Sequence, residues 1–137
     1  SNAGGALEAL FYEAGQANAL TTLPGSMPLR ACSGRSVWTF SDGSLSKHRL
    51  SNQALFVSEG IRKDLPFAPS ILRAQADGLL AQGGRELCNV QSDFKAAIKT
   101  HTIPGWGWWA PFDLQKVFVG GGILAAPTGE YGIEILK

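Results

Sequence analysis

The chain has 137 residues, 45% of them hydrophobic and 17% charged, with a formal net charge of +1. That is the size of one ordinary domain with enough apolar material for a core. It excludes a disordered tail and a polycation that binds nucleic acid through its overall field.

Seventeen glycines and seven prolines point to many turns rather than a helical bundle. Charge is uneven along the chain. Arg30, Arg35, Lys47 and Arg49 stand against a single acid, Asp42, between residues 30 and 49, which makes a local basic patch. Ser1-Asn2-Ala3 reads as the remnant of an expression tag. No apolar run approaches the roughly 18 residues of a membrane span. These features suggest a domain taken from a larger secreted or surface-exposed protein.

The first predicted element is an amphipathic helix over 4–18, on the i, i+3, i+4 spacing of Ala6, Leu7, Leu10, Phe11 and Ala14. A Pro-Gly loop follows to about Pro28, so 4–29 reads as a helix and linker ahead of one domain over 30–137. Ser36 to Phe40 is a strand candidate, with Trp38 and Phe40 on one face and Val37 and Thr39 on the other. Asp42-Gly43 then signals a tight turn. Ser51 to Arg62 reads as a short helix ended by Gly60. Pro66 to Gln82 reads as the clearest helix, capped by Ser70, with Ile71, Leu72, Ala76, Leu79 and Leu80 as its stripe and Gly83-Gly84 as its stop. Leu87 to Val90 is a short strand candidate. The segment from Asp93 to Lys99 fits either a strand or a helical turn. A Trp-rich loop spans 103–111. The end reads as a hairpin of Val117–Ala125, with Gly120-Gly-Gly122 as a bulge, and Tyr131–Leu136. Helices before strands predict an α+β fold: N-terminal helices packed on a small antiparallel sheet that closes with a C-terminal hairpin.

Cys32 and Cys88 are the number for one disulfide, and their spacing fits no metal site. A bridge would close a loop of about 57 residues and add about 4 kcal/mol in the chain-entropy model. The other reading is two free thiols. The turn-rich composition favours the bridge.

Two histidines, His48 and His101, sit in polar and basic surroundings, Ser46-Lys-His-Arg49 and Lys99-Thr-His-Thr102. Two imidazoles and a cation are the set for metal-independent phosphodiester transesterification. One imidazole takes the 2′-hydroxyl proton, the other protonates the leaving oxygen, and Lys47 or Lys99 offsets the phosphorane charge. Thr100 or Thr102 would orient an imidazole, and Arg49 and Arg35 would hold phosphates. The plain alternative is two surface histidines beside loops. Trp106, Trp108 and Trp109 could stack on bases or sugar rings, or fold onto the core as a lid. Gly120-Gly-Gly122 misses both phosphate-loop templates. The serines lack a nucleophile elbow, and the carboxylates form no spaced pair. No cofactor or metal is called for.

Lys47-His-Arg-Leu-Ser51, the segment around Pro69-Ser-Ile-Leu72 and the closing hairpin together resemble the C-terminal toxin modules of bacterial polymorphic and contact-dependent inhibition systems. Among these they resemble the metal-independent ribonucleases. The resemblance spans roughly residues 45–137 in element order. It implies an RNA substrate, a cognate immunity protein and delivery from a larger surface protein. The competing expectation is a non-catalytic exported binding module, of adhesin or pilus type, that contacts a glycan or protein through Trp106 and Trp108.

Overall fold

The computed structural model describes residues 7–13, 16–23, 29–102, 114–120, 123–127 and 133–136. The expected α+β fold is wrong. The described residues are almost entirely β, and the one helical element is a 3-10 turn at Leu114–Lys116. No described helix is long and apolar enough to cross a membrane. The chain divides into two compact units: Ser1–Leu65 with Ala74–Ala76, and Pro66–Arg73 with Asp77–Lys137.

In the first unit, β1 (Leu7–Glu13) and β2 (Gln16–Leu23) pair antiparallel where the first helix was predicted. The spacing that suggests a helix sits in a segment that also holds Phe11-Tyr12, residues that favour strands. β3 (Leu29–Ser33), β4 (Ser36–Ser41), β5 (Ser44–Leu50) and β6 (Phe56–Arg62) form a four-stranded meander in that order. The strand predicted at residues 36–40 is present. The helix predicted over 51–62 is instead a loop followed by β6.

The turns explain the register. Asp42 and Gly43 both have positive φ, 51° and 76°, the conformation of a type I′ hairpin turn. Glycine tolerates this freely, and aspartate more readily than most residues. Between β5 and β6, Lys47 lies opposite Gly60 and His48 opposite Ser58, so Glu59 is the extra residue of a bulge. Trp38 and Leu45 are fully buried on one face of this sheet, where alternate and directly opposed residues point together.

The second unit holds most of a second four-stranded sheet, ordered β10 (Lys99–Thr102), β9 (Glu86–Gln91), β8 (Gly78–Gly83), β7 (Ile71–Gln75). The long helix predicted over 66–82 is thus replaced by β7 and β8. Ser70, read as its cap, donates its backbone N–H to the carbonyl of Gln82 at 2.7 Å. A three-stranded sheet follows, of β11 (Phe118–Gly120), β12 (Ile123–Pro127) and β13 (Ile133–Leu136), where a two-stranded hairpin was expected. Leu124 and Val119 turn inward to a core with Leu80, Leu87, Leu114 and Val117. On the other face Phe118, Ala125 and Ile135 form one cross-strand row, and Phe118 and Ile135 are exposed.

Candidate functional site

The predicted catalytic residues and Arg49 fall on two sheets, one in each unit, and Arg35 lies in the turn between β3 and β4. On β5, Lys47 and His48 are neighbours in sequence, but strand periodicity sends them to opposite faces. Lys47 is buried. Its ammonium lies 5.2 Å from the centroid of the Trp38 ring and 2.9 Å from the Glu59 carboxylate. Arg49 shares that face and donates from Nε to the other oxygen of Glu59 at 3.1 Å. Arg35 donates to Asn52 Oδ1 at 2.9 Å and so anchors the loop after β5. The basic patch read from the sequence is therefore engaged within the fold at Arg35, Lys47 and Arg49.

His48 lies on the other face, between Val37 and Ser58 in the ladder. Its Nδ1 is buried without a hydrogen-bond partner among the described residues. Burial holds its pKa below the ordinary 6.5. The expected bridge is absent: Cys32 is an exposed free thiol and Cys88 a buried one. Cys88 sits mid-strand in β9, fully excluded from solvent, where a thiol packs as a small apolar group.

On β10, alternation groups the predicted residues differently. Thr100 and Thr102 share one face. Thr100 lies opposite Cys88, and the Thr102 hydroxyl donates to the Glu86 carboxylate, whose oxygens lie 2.9 and 3.0 Å away. Neither threonine is on the face of His101. Lys99 and His101 share the other face, opposite Asn89 and Leu87 respectively.

That face runs into an open cleft of about 360 Å³ lined by Asp77, Asn89, Gln91, Ser92 and Asp93. Asn89 and Gln91 are alternate residues of β9 and point the same way. Asp77 comes from the turn between β7 and β8, which is drawn against the end of β9. The Ser92 N–H donates to the Asp77 carbonyl at 2.9 Å. This approach requires glycine at 78, since a Cβ there would fall 2.2 Å from the Val90 carbonyl oxygen at a φ of 156°. Asp93 Oδ1 accepts from the backbone N–H groups of Lys95 and Ala96 at 3.0 and 3.2 Å, which fixes its carboxylate. Phe94 holds a positive φ of 62° with its ring buried, so the turn beside the cleft is tied to the core.

The side chains of Asp77, Asn89 and Gln91 make no hydrogen bond to the described residues. A carboxylate offers acceptors only, whereas each carboxamide offers both donors and an acceptor. The set suits a ligand rich in hydroxyls. The described residues contain no group of three His, Cys, Asp or Glu placed to hold a metal ion. The Trp106 and Trp108 loop lies outside the described residues, as do Trp109 and most of the predicted turn at 127–130.

This cleft is only faintly marked in the sequence. Its signal was Asp77-Gly78, a turn dipeptide of the same kind as Asp42-Gly43, together with Asn89 and Gln91 alternating with Cys88 and Val90. Neither a protein-family model nor a curated protein matches the chain.

Proposed function

We propose that this chain is a non-catalytic binding module that takes a polyhydroxylated ligand, a glycan, in the cleft between the β7–β8 turn and the end of β9. It would act as part of a larger exported or surface protein. The supporting observation is the set of Asp77, Asn89 and Gln91 side chains, which line an open cleft without hydrogen-bond partners among the described residues. Paired sugar hydroxyls both donate and accept, which matches carboxamide and carboxylate side chains together. The volume falls at the lower end of ordinary ligand sites, about 300–1,000 Å³. Titrating the isotope-labelled chain with a panel of soluble oligosaccharides should shift the amides of Asp77, Asn89 and Gln91. Asn89→Ala with Gln91→Ala should weaken that binding about tenfold while leaving the melting temperature nearly unchanged. A panel that moves none of these amides overturns the reading.

A second reading, the metal-independent ribonuclease toxin with its RNA substrate and immunity protein, draws support from one observation. Lys99 and His101, a cation and an imidazole, share the β10 face that borders the cleft. In that reading a second group, not identified on this face, supplies the other proton transfer. Expression in cells followed by RNA integrity, compared with His101→Ala and His48→Ala, decides it. Intact RNA with the unsubstituted chain removes it.

A further inference from the structure

On the glycan reading, we infer that the cleft selects an acidic sugar carrying a single carboxylate, and that Lys99 is the specificity-determining residue. Lys99 is exposed and directly opposite Asn89 in the β9–β10 ladder, so their Cβ atoms stand about 5 Å apart. In the first unit, ion pairs join Lys47 and Arg49 to Glu59 and Arg62 to Asp64. The Lys99 side chain takes part in none of them and in no hydrogen bond to the described residues. On its own face its neighbours are Asn89 across the ladder and His101 two residues along. Glu86 stands opposite Thr102 at the far end of β10, on the other face, and accepts from the Thr102 hydroxyl.

Charge is therefore uneven along and beyond the cleft. Its carboxylates, Asp77 and Asp93, stand at the turn end, the neutral Asn89 and Gln91 line the rest with Ser92, and Lys99, outside the lining itself, is the residue beside Asn89 on β10. A sugar acid lies along this gradient with its carboxylate against Lys99 and its hydroxyls against Asn89, Gln91 and Asp77. A neutral sugar leaves the ammonium without a counter-charge. A densely anionic polymer brings further negative charge up to two aspartates, which like-charge repulsion disfavours.

The test compares methyl β-glucuronide with methyl β-glucoside by amide-shift titration at low salt. The glucuronide should bind about 3- to 10-fold more tightly, the size expected of one solvent-exposed, charge-assisted contact. That preference should shrink at 0.5 M salt as screening grows. Lys99→Met should abolish the preference while keeping glucoside binding, and Lys99→Arg should retain it. Equal affinity for the two sugars, unaffected by Lys99→Met, overturns the inference and leaves the glycan reading standing. Binding of neither sugar, nor of any longer oligosaccharide of either kind, overturns both. Preferential binding of a single-stranded RNA at the same amides also overturns both, in favour of nucleic acid.

Discussion

The ammonium of Lys47 sits 5.2 Å above the centre of the Trp38 indole and 2.9 Å from the Glu59 carboxylate. Trp38 and Lys47 are directly opposed on β4 and β5, and Glu59 reaches them because the bulge places it as an extra residue on β6. A charge removed from water in this way is tolerable only while its partner is present. Glu59→Gln should therefore cost about 2 kcal/mol, below the 3–5 typical of a fully buried pair, because the Glu59 side chain keeps 29% of its exposure. Lys47→Met retains the stem over Trp38 and leaves Glu59 with Arg49, so it should cost under about 1 kcal/mol. Urea unfolding of the two variants measures both. Equal losses would mean that the charge pair does not govern this site.

The same carboxylate gives an acid limb to the stability curve. Hydrogen bonds from Lys47 first, and then Arg49, hold the Glu59 pKa below its ordinary 4.5 despite partial burial. A depressed carboxylate pKa adds stability above the unfolded value, and that stability is lost as pH falls through the folded value. Unfolding free energies followed downward from pH 5.5 should decline more steeply in the parent chain than in Glu59→Gln.

How much of this was legible in the sequence turns on particular dipeptides. Asp42-Gly43 was readable as a turn because Val, Trp, Thr and Phe precede it. Asp77-Gly78 carries the same signal, but Leu, Arg, Ala and Gln surround it, all good helix formers. Tertiary pairing with β9 overrode that weak local preference, and the missed turn hid Asp77 and with it the cleft. The fold class was lost in the same way at 4–18 and 66–82. Lys47 and His48 show a different limit. They are adjacent in the chain, but a strand parts them to opposite faces, so proximity in sequence was no guide to a shared site. Lys99 and His101, two apart, do share a face, and once β10 is known as a strand this follows from periodicity alone.

His48 contributes at higher pH than Glu59. Burial depresses its pKa below 6.5, so the unfolded chain binds more protons than the folded one just below that value. Stability is then full above about pH 6.5 and falls as pH drops from there towards the folded pKa. Comparing urea midpoints at pH 7.5 and 5.5, above the range where Glu59 titrates, should show a loss in the parent chain. His48→Gln should flatten it. An unchanged slope would mean that the imidazole is hydrated in solution.

The cysteines make a simple chemical prediction. Burial pushes the Cys88 thiol up to about 11, and Cys32, although exposed, is also raised by desolvation. Thiolate is the reactive form. A disulfide-forming thiol reagent should titrate one group per native chain, slowly, at Cys32. The second group should react only after unfolding in denaturant. Cys32→Ser should leave the native chain unreactive, and no mobility change should follow reduction on a denaturing gel. Failure to titrate any thiol even when unfolded would indicate a bridge.

The three-stranded sheet is tied to the four-stranded one by polar contacts as well as by its apolar core. Gln82 Oε1 accepts from the Leu114 backbone N–H at 2.8 Å, and its amide donates to the Gly84 carbonyl at 3.1 Å. Arg73 Nη1 donates to the carbonyls of Leu114 and Val117 at 3.1 and 2.6 Å, so the 3-10 turn is held at both ends. Leu114 is fully buried, so its backbone groups have no water to turn to when these partners are removed. Gln82→Leu fills the same space but strands the Leu114 N–H, and should cost about 1–3 kcal/mol. Gln82→Glu keeps an acceptor for that N–H but buries a charge, so its cost should grow as pH rises above the carboxylate range. Amide exchange should quicken at Leu114 and at Val119 in Gln82→Leu while the amides of β4 and β5 keep their protection. Uniform quickening across both units would mean instead that the contact supports global stability rather than the docking of this turn.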